Sequence, residues 1–259
     1  MPVQEWKIDA ISRLVLCDCI EFMKSLQNDS IDFVFCDPPY GHNNNDGDLI
    51  ANREKALGVN PKDGGKSRPI ANDGVEANDL FKKFLKETSR ILKPGSCCCS
   101  CCGGGGPDPQ FARWALWMSE YYDFKQMVIW DKGKMGMGWH YRRSYETILV
   151  GMKKGAACAW YDTTKKVENI IRPNDYGIRK IIPSASQHPT EKPVELAAHF
   201  IRLHSKPGDT VLDPFAGSGS TGVAALLCDR HFIGCEIDPE WFNYAKHRMK
   251  NCVELPSLF

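Results

Sequence analysis

Asp213-Pro214-Phe215-Ala216-Gly217-Ser218-Gly219-Ser220-Thr221-Gly222 lies between a short apolar run, Thr210-Val211-Leu212, and a helical run from Ser220 to Cys228. It reads as strand, glycine turn, helix. Glycines in such a turn allow tight chain reversal and close backbone approach by a ligand. A further strand, His231 to Ile237, carries Glu236 about 20 residues on, where a carboxylate can accept hydrogen bonds from ribose hydroxyls. The fingerprint alone suits NAD as readily as S-adenosylmethionine, so an NAD-dependent oxidoreductase stands as a distant alternative. Gly-Lys-Ser/Thr is missing, which argues against a Walker-type phosphate loop. A structural turn would explain the glycines; it explains less well the glycines together with Asp213 and Glu236. Only 37 residues follow Gly222. They suffice for one strand and a final helix, so the rest of the sheet must come from the preceding chain. That predicts a circularly permuted order with the cofactor half last. Asp213 adds a carboxylate suited to the cationic methionine portion of S-adenosylmethionine.

Upstream, strands and helices alternate, as in an α/β fold. Leu14-Val15-Leu16 reads as a strand and Ile20 to Leu26 as a helix. The strand Ile31 to Cys36 runs into Asp37-Pro38-Pro39-Tyr40. Leu80, Phe81, Phe84, Leu85, Thr88, Ile91 and Leu92 share a helical face that Lys93-Pro94-Gly95 should end. A cysteine-rich strand follows, then a helix through Phe111, Trp114, Met118 and Tyr121. Phe124 to Trp130 and Tyr145 to Gly151 read as strands. Pro193 suits the first turn of a helix ending at His204, and the last helix starts near Pro239. Residues 1–259 read as one domain, with residues 41–79 an inserted polar loop.

Asp37 ends an apolar strand, at the sheet edge where open α/β folds bind ligands. Pro38 and Pro39 stiffen the chain and remove two donors, leaving their carbonyls to accept. Tyr40 adds an aromatic face with a polar tip. A rigid, acceptor-rich site beside a ring suits a planar base bearing an amino group. A proline-rich turn after a strand is the plainer reading of this tetrapeptide.

With 42% apolar and 25% charged residues the chain is ordinary for a globular protein. No stretch resembles a membrane span, and Met1 to Ala10 lacks a signal core; the expected location is the cytoplasm. Five of the twelve cysteines crowd into residues 97–102. Alternate residues of a strand face opposite ways, so the run reads as a buried strand and no metal is expected. Residues 130–192 hold twelve Lys and Arg against six Asp and Glu, within a chain whose net charge is +1. That local excess fits a phosphate-contacting surface; a solvated basic loop would also fit.

In order and wording, these motifs resemble the β-group of amino DNA methyltransferases, of the adenine-N6 and cytosine-N4 type. The matching pieces are Leu16-Cys17-Asp18-Cys19, Ser30 through Tyr40, His188-Pro189-Thr190-Glu191-Lys192-Pro193, the Asp213 to Gly222 loop, and Gly234-Cys235-Glu236-Ile237-Asp238. Arg143-Ser144-Tyr145-Glu146 resembles a later motif that supports the base pocket. The resemblance implies a Rossmann-like, seven-stranded methyltransferase sheet with the catalytic half before the cofactor half and inserted DNA-recognition loops. It implies S-adenosylmethionine as methyl donor and Asp37, Pro38, Pro39 and Tyr40 as catalytic contacts. Asp213, Phe215, Gly217, Gly219 and Glu236 would surround the cofactor, Thr190 and Lys192 would lie near its methionine carboxylate, and Asp18 near its adenine amino group. The Asp-Pro-Pro-Tyr form is commoner for adenine and Ser-Pro-Pro-Tyr for cytosine, which leaves cytosine N4 as the nearest alternative. Gly41 and the cysteine-written strand depart from the family's usual residues.

The implied partner is double-stranded DNA with the target base flipped out; a homodimer is left open. Residues 41–79 would be a lid or DNA contact, and residues 152–187 a short target-recognition segment. Lys132, Lys134, Arg142, Arg143, Lys165, Lys166, Arg172, Arg179 and Lys180 are the expected phosphate contacts. Trp139, His140 and Tyr141 suit either the displaced base or the core.

Overall fold

A computed structural model describes residues 4–42, 70–103, 109–134, 140–178 and 190–254. Nine strands form one sheet among the described residues: β1 (Gln4–Lys7), β2 (Arg13–Leu16), β3 (Ile31–Cys36), β4 (Leu92–Cys102), β5 (Asp123–Asp131), β6 (Tyr145–Met152), β7 (Ile170–Ile171), β8 (Thr210–Asp213) and β9 (His231–Glu236). Their spatial order is β1-β2-β9-β8-β3-β4-β6-β5-β7. The helices are α1 (Cys19–Ser25), α2 (Ala77–Ile91), α3 (Gln110–Tyr121), α4 (Val194–His204), α5 (Ser220–Leu227) and α6 (Pro239–Glu254). No described helix is long and apolar enough to cross a membrane.

The seven strands from β2 to β5 make the expected sheet, and β1 and β7 add one short strand at each edge. Strands β2, β9, β8, β3 and β4 run parallel, while β6 is antiparallel between β4 and β5. The strand that feeds the glycine loop, β8, enters late in sequence yet sits centrally, because β3 pairs with it at Phe33–Val211 and Val34–Leu212. Parallel strands need helical crossovers, and these cover both faces.

Each element follows from its residues. Asp18 caps α1, its Oδ1 accepting the Ile20 and Glu21 N–H groups at 2.9 and 3.1 Å. The apolar stripe of α2 buries Phe81, Phe84, Leu85, Thr88 and Ile91, and the helix starts at Ala77, inside the expected polar loop. The helix ends at Ile91, just before Lys93-Pro94-Gly95, as expected, and β4 begins at Leu92 and carries the tripeptide within it. Gly95 takes φ +85° there, and its N–H donates to the Lys153 carbonyl at 2.9 Å. All five clustered cysteines are buried. Cys97, Cys99 and Cys101 pack into the core on one sheet face, Cys98 and Cys102 into the core on the other. Burying apolar area stabilises at roughly 25 cal/mol per Å², so a thiol there acts as a small hydrophobe.

Candidate active site

Parallel pairing of β3 with β8 carries Asp37 and Asp213 to the same edge of the sheet. Together they line a cleft of about 320 Å³. Pro38, Pro39 and Tyr40 form one wall, and Phe215, Gly217 and Glu236 another. Asp18, Thr190 and Lys192 also face it.

Both oxygens of Asp37 are engaged. The Tyr40 hydroxyl donates to Oδ1 at 2.5 Å, and the Lys192 ammonium donates to Oδ2 at 2.5 Å. The same ammonium lies 3.2 Å from Glu146 Oε2, while Lys132 Nζ donates to Glu146 Oε1 at 3.0 Å. Burial pushes the Asp37 carboxyl above the ordinary carboxylate range, with the Lys192 charge opposing it. Burial also opposes ionisation of Glu146, yet Lys192 and Lys132 hold it down at about 2. The Tyr40 phenol is pushed well up, by burial first and then by the Asp37 charge. It is therefore a hydrogen-bond donor at neutral pH.

The turn after Asp37 is braced from several directions. Gln110 donates from Nε2 to the Tyr40 carbonyl. Asp73, itself buried, accepts the Gly41 and His42 N–H groups at 2.8 and 3.2 Å. The Tyr40 ring meets Trp114 edge-on at 6.3 Å, and Trp114 stacks on Phe81 at 3.8 Å. Gln110 and Asp73 lie 70 and roughly 30 positions away in sequence; no local motif marks them.

On the other wall, Glu236 Oε2 accepts the Gly217 N–H at 2.7 Å, and its Oε1 accepts the Ile237 and Asp238 N–H groups at 2.9 Å each. Oε1 is thereby filled, while Oε2 keeps acceptor capacity beyond its single bond. Burial raises the Asp213 carboxyl to about 7, with Thr221 and the Phe215 N–H opposing. Burial raises Glu236 as well. The wall thus holds buried carboxylates with an unmet preference for a cation or for hydrogen-bond donors.

The sequence profile of the DNA methylases that modify amino nitrogens N6 and N4 matches residues 31–247. The chain belongs to this DNA methylase family. The Type II methyltransferase M.HinfI of Haemophilus influenzae is 30% identical over 96% of this chain and 73% of its own length. Among solved structures, the M1.HpyAVI complex with S-adenosylmethionine (SAM) superposes with a TM-score of 0.64 at 24% identity, covering 91% of this chain and 98% of that one. The PvuII DNA methyltransferase, cytosine-N4-specific, reaches a TM-score of 0.67 at 18% identity, covering 92% and 86%. At such identities these two likenesses show the fold.

Three expected positions in this DNA methylase read differently in three dimensions. Gly219 does not line the cleft. It takes φ +79°, and a Cβ there would meet Ala245 of α6 at 2.9 Å, so its glycine is required by backbone and helix packing. Lys192 faces the cleft, but its ammonium is drawn to Asp37 and Glu146, two largely buried carboxylates of which Glu146 is also held by Lys132. Lys132 is only 16% exposed and is tied to Glu146, which takes it out of a phosphate surface.

The basic segment is divided by β6. Lys134, Arg142 and Arg143 flank the end of β5 and the start of β6, where Asp131 pairs with Tyr145, at the same edge as Asp37. Because β6 is antiparallel to β4, the chain leaves it at the opposite edge. There the Ala159 N–H donates to the Gly95 carbonyl and the Tyr161 N–H to the Leu203 carbonyl, both at 2.9 Å. Lys165 and Lys166 follow in an exposed turn built on Asp162. They lie between this remote-edge contact and β7, which returns the chain beside Ile129 and Trp130 near the cleft edge. Arg172 is exposed and pairs with Glu168 at 2.6 Å. Tyr141 is 90% exposed and His140 is exposed, which excludes both from the core. Trp139, Arg179, Lys180, His188 and Pro189 lie outside the described residues, as do residues 43–69.

Proposed function

We propose that this DNA methylase transfers a methyl group from SAM to the N6 amino group of adenine in double-stranded DNA. The carrying observation is that Asp37-Pro38-Pro39-Tyr40 and the Asp213 glycine loop share one cleft. Aspartate as first residue of the tetrapeptide supports adenine, by resemblance.

The cofactor wall fits its ligand. A buried carboxylate raised to about 7 gains from a nearby cation, and Asp213 is such a group. Asp213, Phe215, Gly217, Glu236 and Asp18 would hold the cofactor, which supplies an electrophilic sulfonium methyl group. A base within a duplex cannot reach this edge without leaving the stack. Asp37 then accepts a hydrogen bond from the base amino group, and the Pro38 carbonyl offers a second acceptor. Tyr40 provides a stacking face and steadies Asp37 through its hydroxyl. Accepting these hydrogens leaves the nitrogen lone pair available for in-line attack. Orientation and fixed dipoles supply the catalysis.

Lys134, Arg142 and Arg143, at the cleft edge, are the basic residues best placed for DNA phosphates. His42 and residues 70–73, the described ends of the 41–79 insert, line the same cleft, which supports a DNA-side role for that insert within a single-domain protein. The test is to methylate unmodified DNA with labelled SAM and digest it to nucleosides. N6-methyladenine is expected. N4-methylcytosine alone would overturn the choice of base, and NAD binding without SAM binding would overturn the reaction class.

A further inference from the structure

Lys192 joins the two walls of the cleft. Its carbonyl accepts a hydrogen bond from Ser220 Oγ at 2.8 Å, at the start of α5. Arg248 of α6 clasps the same corner, donating to the Ser218 carbonyl at 2.8 Å and to Ser220 Oγ at 3.2 Å, with Glu191 Oε1 at 3.3 Å. The backbone is thus pinned to the glycine loop while the side chain crosses to Asp37. Along that path Lys192 is only 9% exposed, and its ammonium passes 5.5 Å from the Tyr40 ring centroid. Two carboxylates, Asp37 and Glu146, and two ammonium groups, Lys192 and Lys132, alternate in a neutral chain.

We propose that Lys192 is a positioning residue for Asp37, a fixed counter-charge that holds the carboxylate as an oriented anionic acceptor, with Glu146 and Lys132 setting how strongly it does so. The reasoning is electrostatic. A protonated Asp37 would turn one oxygen into a donor and leave only a weaker, neutral acceptor for the donating amino group. Burial favours that protonated form, and Lys192 is the cation that opposes it. The remaining titratable groups around Asp37 come from four other directions: Tyr40 from its own turn, Glu146 from β6, Cys101 and Cys102 from β4, and Asp213 from β8. Each of these becomes anionic or stays neutral; His42 and Lys134 also line the cleft, and Lys192 is the cation in direct contact with Asp37, at 2.5 Å. The role differs from contact with the cofactor's carboxylate, which the resemblance implies for Lys192.

The inference rests on the methyl-transfer reading only for its kinetic readout. Titration of the Asp37 carboxyl by 13C NMR, assigned with Asp37→Asn, needs neither DNA nor cofactor. In Lys192→Gln, Asp37 should titrate about one to three pH units higher. The acidic limb of the kcat profile should move by the same amount, and Lys192→Arg should restore it. Glu146→Gln removes a competitor for the ammonium and should shift Asp37 downward; it carries the test with opposite sign if Lys192→Gln does not fold. An unchanged Asp37 titration in Lys192→Gln would overturn the proposal. So would parallel kcat profiles with the loss confined to SAM affinity, or a shift in Glu146→Gln of the same sign as in Lys192→Gln. A wild-type protein that methylates no DNA would sink the function reading alone, since the titration still decides the role of Lys192.

Discussion

Gly219 and Gly208 offer a matched pair of perturbations. Both hold left-handed backbone, at φ +79° and +85°. A Cβ on Gly208 would meet nothing within 4 Å, whereas one on Gly219 would meet Ala245 Cβ at 2.9 Å and Ala245 Cα at 3.0 Å. Gly208→Ala should therefore lose only the backbone term, roughly 1–2 kcal/mol. Gly219→Ala should lose that and an overpacking term of roughly 1–3 kcal/mol, since a helix backbone cannot step aside as a flexible side chain can. For a chain of this size each kcal/mol lowers Tm by about 2–4 °C. Gly208→Ala then melts about 2–8 °C below wild type, and Gly219→Ala about 4–20 °C below. Thermal unfolding followed by far-ultraviolet circular dichroism, without any cofactor, gives both values. Equal losses in the two variants would refute the packing account and return Gly219 to the ligand-facing role that its place in the motif suggests.

Asp37→Ala should abolish methyl transfer and leave SAM affinity within a few-fold of wild type, because Asp37 faces the base side of the cleft; retained turnover in a labelled-methyl assay would remove it from the chemistry. Asp213, raised by burial to about 7, is neutral at acid pH, so its contribution to folding stability is lost as pH rises through that value. A cationic ligand favours the ionised form. SAM affinity measured calorimetrically should therefore climb by up to tenfold per pH unit below about 7 and level off above it, while Asp213→Asn flattens the curve; a pH-independent wild type would contradict this. Cys158 is exposed, and its contact with Cys97 at 3.7 Å pulls its thiol down to about 7. It should be the first cysteine alkylated by maleimide in the native protein, as read by peptide mass mapping, with the run at residues 97–102 protected until unfolding.

Much of the fold was legible because it is written in local periods. The stripe Phe81, Phe84, Leu85, Thr88 and Ile91 announces α2, and Phe33, Val34 and Phe35 announce a strand buried on both faces. The cysteine run also reads correctly as a buried strand, since alternation alone sends its thiols to two faces. Lys93-Pro94-Gly95 reads correctly as the end of α2, which stops at Ile91; what the local signal does not show is that the tripeptide lies within β4, where Lys153 and Ala159 supply the backbone partners of Gly95. Strand β1, Gln4-Glu5-Trp6-Lys7, is polar and mostly exposed and so shows no apolar run, and β7 has only two residues.

The sequence by itself determined that a carboxylate follows β3, that a glycine turn follows β8, and that the first precedes the second, which suffices for the sheet class and the family. It could not determine that Lys192 reaches Asp37 across 155 positions, that Gln110 and Asp73 brace the Tyr40 turn, or that Gly219 is a glycine for the sake of Ala245. Nor could it place Lys134, Arg142 and Arg143 at the same sheet edge as Asp37. Charge and spacing are properties of the chain. The counter-charge that a buried carboxylate acquires, and the space left for a Cβ, depend on which distant elements pack there, and only the tertiary structure decides that.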